Sequence, residues 1–128
     1  PNTDIYLLPT YGDAFGFAIL EAMSFGIPVV STNYMAIPEM ITNGENGYMA
    51  DISKYRCQTM FKGCYVSKLP LAFKDDINEQ LLPILEKLME SSLLRREIGA
   101  SGIKTIRQKF SFETRQQKMN EIYNALNL

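Results

Sequence analysis

Asp13 and Glu21 stand with seven residues between them, in the segment Asp-Ala-Phe-Gly-Phe-Ala-Ile-Leu-Glu. If this segment opens a helix, the backbone N–H groups of its first turn have no intrahelical acceptor, and the helix dipole favours negative charge there. Such an end can hold phosphate oxygens. Gly16 would let the backbone approach a ligand closely. Glu21 is an acid in an otherwise apolar stretch, and a buried carboxylate is almost always partnered. An ionised carboxylate only accepts hydrogen bonds, and a ribose diol presents two donors to it. The plain alternatives are a turn or cap role for Asp13 and a structural salt bridge from Glu21 to an arginine.

The flanking residues predict how such a segment is held. Ile5-Tyr6-Leu7-Leu8, ended by Pro9, is apolar on both alternating faces, which predicts a central strand of a parallel sheet. Phe17 to Phe25 reads as a mostly buried helix closed by Gly26, and Ile27 to Ser31 as a second strand with Pro28 at its start. Strand, helix and strand in this order form the right-handed unit of an α/β, Rossmann-like parallel sheet. In such sheets ligands bind at the carboxyl ends of the strands, where the Asp13 turn would lie. Ala36 to Ile41 suggests a short helix with Pro38 near its start, Asn43 to Gly47 a tight turn, and Tyr48 to Ala50 a short strand.

No period persists from Asp51 to Lys74, which predicts an insertion or loop, and the remainder from Asp75 reads as helical. Asp76 followed by Glu79 resembles a capping box, Ile77, Leu81, Leu85 and Leu88 form one stripe, and Pro83 should kink or split that helix. A further stripe runs through Gly99, Ile103, Ile106 and Phe110. Ser111 would cap a last helix with Met119, Ile122, Tyr123 and Leu126 on one face. These stripes read as packing faces without chemistry.

With 128 residues, 46% apolar and 21% charged, the chain suits one domain or part of one. A net charge of −1 and a pI near 5.5 argue against nucleic-acid binding. Cys57 and Cys64, in a chain without histidine, have neither zinc-ligand nor disulfide-framework spacing and read as reduced thiols. There is neither a run long enough for a membrane span nor a signal-like segment. A cytoplasmic setting is the expectation, with peripheral attachment at the cytoplasmic membrane face as its variant. The chain starts at Pro1 and enters an apolar run at once, which reads as an internal cut.

Asp4 to Ala50 resembles the family 4 retaining glycosyltransferases of GT-B fold. The resemblance is carried by Asp4 to Pro9, by Asp13 and Glu21 as the family's two acids, and by Glu21-Ala-Met-Ser-Phe-Gly-Ile-Pro-Val-Val30. Ala36 to Glu39, Asn43 to Tyr48, Leu93 to Gly99 and Phe110 to Glu113 extend it, while Tyr55 to Lys74 is unmatched.

The resemblance implies a partial C-terminal nucleotide-sugar-binding domain over residues 1–128. A donor sugar nucleotide would be its substrate, with no separate cofactor or metal. Glu21 would bond the ribose hydroxyls, and the amides near Phe17 and Ala18 the diphosphate. Asp13, with the amides of Ala14, Phe15 and Gly16, would hold the transferred sugar. Asp13 is the sole candidate for a catalytic role, and it is shorter than the family's usual glutamate. A sugar or lipid-linked acceptor would bind mainly to the family's N-terminal domain, which precedes this segment, so the chain alone should not turn over a donor. The implied activity is hexosyl transfer with retention, in polysaccharide or glycoconjugate biosynthesis. A GT-B phosphorylase, a nucleotide-sugar epimerase and a non-catalytic interaction module are the alternatives. A glycoside hydrolase fits poorly, because an anion-favouring helix end is a poor place to raise an acid's pKa.

Overall fold

A computed structural model describes residues 2–12, 15–55 and 70–126. Three strands, β1 (Tyr6–Leu8), β2 (Val29–Thr32) and β3 (Tyr48–Ala50), form a parallel sheet in the order β1-β2-β3. Tyr6 pairs with Val29 and Leu8 with Ser31; Val30 pairs with Tyr48 and Thr32 with Ala50. Helix α1 (Phe17–Ser24) joins β1 to β2, and α2 (Ile37–Met40) lies between β2 and β3. The expected strand-helix-strand unit of a Rossmann-like sheet is therefore present.

β2 is the middle strand, and all four of its residues are buried. β1 was expected at the centre of a sheet, yet among the described residues it stands at one end. Tyr6 and Leu8 are half-buried, but Leu7 on the opposite face is 47% exposed. The helix after it is likewise not mostly buried. Ile19, Ala22 and Met23 fall on one face at helical spacing and enter the core, whereas Phe17, Ala18, Glu21 and Ser24 fall on the other and are exposed. Apolar composition had suggested a mostly buried helix, but only one face is covered.

The core joins Ile19 and Met23 to Val29, Val30, Ile37, Met40, Ile41, Ile52, Phe73, Ile77, Leu81 and Leu88. Each such side chain contributes roughly 1.5–3 kcal/mol when fully buried. Asn43 to Gly47 forms the expected turn, with the Gly44 amide donating to the Gly47 carbonyl at 2.8 Å.

The 51–74 segment is not uniformly irregular. Asp51 to Tyr55 packs against the sheet and ends in a short 3₁₀ turn at Ser53–Tyr55. Helix α3 (Ala72–Glu90) starts before the expected boundary, because Phe73 is buried in the core along with Ile77 and Leu81. Asp76 thus lies inside the helix and is no cap. Its carboxylate instead accepts from the Tyr55 hydroxyl and pairs with Lys54. Pro83 does not split α3, which runs unbroken through it. Proline removes one intrahelical N–H bond, but Pro83 and Glu79, whose carbonyl would have accepted it, are exposed to water. The expectation for Cys57 and Cys64 lies outside the described residues.

Helix α4 (Ser92–Thr105) continues through a π-helical turn (Ile106–Phe110) to α5 (Phe112–Ala125). Ser91 and Ser111 cap α4 and α5, accepting from the amides of Leu94 and Thr114 at 3.1 Å each. Arg95 donates to the Leu88 and Met89 carbonyls and closes the C-terminal end of α3. The stripe on α5 does not pack: Ile122, Tyr123 and Leu126 are more than half exposed, and no α5 residue is buried among those described. No helix among the described residues is long and apolar enough to cross a membrane.

Candidate functional site

The chain leaves the sheet at Leu8 and returns as a helix at Phe17, so the start of α1 lies at the carboxyl end of the strands. Its N-cap is Gly16, in the left-handed conformation (φ 84°, ψ 43°). Most other residues would lose about 1–2 kcal/mol there. Gly16 is also enclosed: an added Cβ would lie 3.3 Å from Ile19 Cδ1 and 3.8 Å from Ile37 Cγ1. The site turn therefore rests on the start of α2.

The Gly16 carbonyl accepts from the amides of Ile19 and Leu20 at 2.9 and 3.4 Å. Among the described residues no side chain caps α1, and no acid stands in its first turn. Among the described residues the amides of Phe17 and Ala18 have no acceptor. This is the geometry in which a helix end holds an anion. The rings of Phe15 and Phe17 meet at 4.8 Å beside these amides, and Phe17 is 75% exposed.

Glu21 follows Phe17 by one helical turn on the same exposed face. It is not the buried acid the sequence suggested. Its carboxylate is exposed and makes no hydrogen bond or ion pair with the described residues, so no salt bridge to any of them explains it. The structure thus gathers Phe15, Gly16, Phe17, Ala18 and Glu21 on one side of the helix start. Asp13 and Ala14 lie outside the described residues. No group of three or more potential metal ligands occurs among the described residues.

Residues not singled out in the sequence shape the neighbouring ground. The Asn33 amide nitrogen donates to Asp51 Oδ1 (2.7 Å) and Ser53 Oγ (3.1 Å), and its Oδ1 accepts from the Ile52 amide (2.9 Å). Gln80 in turn accepts from the Asp51 amide at 2.7 Å. Tyr11 and Tyr55 both stand edge-on to Phe73, at 5.6 and 4.9 Å. The loops after all three strands are thereby tied to each other and to α3. The change from valine to serine and threonine along β2, followed by Asn33, was the available signal: polar groups at a buried strand end must find partners.

Residues 1–56 match the family model described as Glycosyl transferases group 1. The capsular polysaccharide biosynthesis glycosyltransferase CapM of Staphylococcus aureus is 25% identical over 124 residues, which cover 97% of this chain and 27% of CapM. The chain thus spans about a quarter of that relative's length. Among solved structures, the C-terminal domain of the group 1 glycosyltransferase LpcC from Francisella tularensis superposes with a TM-score of 0.61 at 26% identity. That match covers 85% of this chain and 44% of the other. HepE of Anabaena, solved in complex with UDP, gives 0.67 at 21% identity over 95% of this chain and 28% of its own, a likeness of fold. The chain carries a group 1 glycosyltransferase match in its first 56 residues, on the α/β fold of the C-terminal domains of GT-B glycosyltransferases.

Proposed function

We propose that this chain supplies part of the donor site of a nucleotide-sugar-dependent hexosyltransferase of the family 4 retaining type. The observation that carries the reading is the start of α1. Two amides without an acceptor among the described residues, at Phe17 and Ala18, sit one helical turn from an exposed carboxylate, Glu21, that pairs with none of them. That spacing suits one ligand with an anionic group and, a few ångströms away, a pair of hydroxyl donors. A nucleoside diphosphate has both.

In this reading the amides of Phe17 and Ala18 take the diphosphate and Glu21 the ribose. Asp13, with the amides of Ala14 to Gly16, takes the sugar. Transfer breaks the bond from the anomeric carbon to the diphosphate oxygen, so negative charge grows on the leaving group in the transition state. Amides already aimed at that oxygen stabilise the charge without reorganising. Cationic side chains and the acceptor site belong to other parts of a complete enzyme, so the chain alone binds a donor weakly and does not transfer. The product class is a polysaccharide or glycoconjugate, and the setting is cytoplasmic, as befits a soluble donor.

The test is titration of the chain with UDP, GDP and ADP and their hexose conjugates, followed by amide NMR shifts. Shifts confined to Gly16 through Glu21 with one nucleotide, and weakened in Glu21→Ala, are the expected result. Shifts scattered over the surface, or none at millimolar ligand with the protein folded, would sink the reading.

A further inference from the structure

We infer that Thr32 is a positioning residue for the donor site: its buried hydroxyl fixes the Thr10–Gly12 turn through which the chain passes from β1 towards the amides of α1. The inference rests on the donor-site reading for its functional consequence, but its structural part stands separately.

β2 reads Val-Val-Ser-Thr, and both hydroxyl residues are fully buried. A hydroxyl deprived of water must find a partner, and each finds one on β1 or the segment that follows it. Ser31 Oγ donates to the Leu8 carbonyl at 2.7 Å, within the last paired position of the sheet. Thr32 reaches one step further. Its Oγ1 donates to the carbonyl of Thr10, which lies beyond Pro9 and outside the ladder. Thr10 in turn donates its amide to the Leu8 carbonyl at 2.8 Å and accepts from the Gly12 amide through its own hydroxyl at 3.3 Å.

The turn is thus held from beneath by one buried side chain. It is held from the side by Tyr11, whose ring meets Phe73 edge-on. Nothing in ladder geometry requires a hydroxyl at Thr32, since valine fills nearly the same volume on a strand. What a valine could not do is bind the Thr10 carbonyl. That bond points to the loop, so its removal should disturb the site before it disturbs the core.

The experiment compares Thr32→Val, Thr32→Ser and Ser31→Ala in the 128-residue chain. Backbone order parameters are read at Tyr11, Gly12, Phe15 and Gly16, with Val29 and Val30 as core references, and UDP, GDP and ADP are then titrated. Thr32→Val should lower order at the four turn residues alone, toward the flexible range below about 0.6. It should weaken the preferred nucleotide by about 3- to 10-fold, the effect of one lost hydrogen bond. Thr32→Ser should restore both, and Ser31→Ala should leave both near the parent values. Unchanged order at the turn in Thr32→Val, or an equal loss at Val29 and Val30, overturns the positioning role. If the parent chain binds none of the three nucleotides, the donor reading falls, while the order parameters still decide the role of Thr32.

Discussion

The backbone of Gly99 in α4 lies against the carbonyl of Gly26, at a separation that leaves no room for a side chain. Gly26 ends α1 with φ 70°, its amide donating to the Met23 carbonyl at 3.0 Å and that of Ile27 to the Ala22 carbonyl at 3.1 Å. These are the paired bonds of a Schellman motif, which needs a left-handed residue at this position. The same turn leaves the Gly26 carbonyl facing α4. One glycine therefore stops the helix that bears the site, and the other lets α4 cross close over its end.

Gly99→Ala should consequently be among the more damaging single changes. Its Cβ would overlap the Gly26 carbonyl oxygen, which is backbone and cannot rotate away. Overpacking of this kind costs about 1–3 kcal/mol, and more where backbone must shift. Gly102, one turn on, offers the contrast: a Cβ there would meet Met23 at 3.6 Å, an ordinary contact. Alanine in a helix is favoured over glycine by about 1 kcal/mol, so Gly102→Ala should be neutral or stabilising. The urea unfolding midpoint should fall in Gly99→Ala and stay level or rise in Gly102→Ala.

Met35 carries strain of a removable kind. It is a non-glycine residue with positive φ (46°), it is 59% exposed, and it sits two residues before Ile37, against which the Gly16 turn rests. The left-handed region costs such a residue about 1–2 kcal/mol, while glycine costs up to about 1 kcal/mol in chain entropy. Met35→Gly should therefore raise stability by roughly 0–1 kcal/mol, and Met35→Val, branched at Cβ, should lower it. Thermal unfolding of both distinguishes strain from packing. A loss of stability in the glycine variant would show that the methionine side chain contributes more than its backbone costs.

The sequence made the strand-helix-strand unit, the Gly26 stop and the Ser111 cap legible because each depends on residues adjacent in the chain. It misjudged burial in three elements where burial depends on what lies opposite, although the Ile77, Leu81 and Leu88 stripe of α3 is buried as expected. β1 is apolar enough to suggest cover on both faces, α1 to suggest a mostly buried helix and α5 a packed stripe, yet Leu7, Phe17 and Tyr123 are exposed. Asp76 was misplaced as a cap because the Asp-to-Glu spacing outweighed Phe73, whose packing against Tyr11 and Tyr55 sets the true helix start. At the candidate site, Gly16 and Glu21 were singled out by type and spacing and Phe17 and Ala18 by the resemblance, but the buried setting expected of Glu21 was not found. Thr32 escaped notice, since its partner Thr10 is distant in sequence.

Pro83 should be replaceable with profit. It stands inside α3, exposed, where it removes the bond to the Glu79 carbonyl. Proline in a helix interior costs about 3 kcal/mol relative to alanine, partly offset by about 0.4–1 kcal/mol from a stiffer unfolded chain. Pro83→Ala should thus stabilise the fold by at most about 2–2.6 kcal/mol, and by less where the helix has adapted its geometry. The check is the urea midpoint at constant m-value, with a fall in midpoint counting against the account.

Glu21 should separate binding from folding. Its carboxylate is exposed and makes no bond to a described residue, so no described contact depends on it. Surface changes of this sort alter stability by no more than about 0.5 kcal/mol. If the carboxylate accepts two ribose hydroxyls, each charge-assisted bond is worth about 1.5–3 kcal/mol. Glu21→Gln retains an acceptor but loses the charge, and Glu21→Ala loses both. Nucleotide affinity should therefore fall in the order parent, glutamine, alanine, with the alanine variant at least about tenfold weaker, while the melting temperature stays near the parent value. A 2′,3′-dideoxy nucleotide should bind parent and alanine variant alike, because neither then has a diol to hold. Equal sensitivity of the dideoxy and the ordinary nucleotide to the alanine change would place the carboxylate's effect elsewhere than on the ribose.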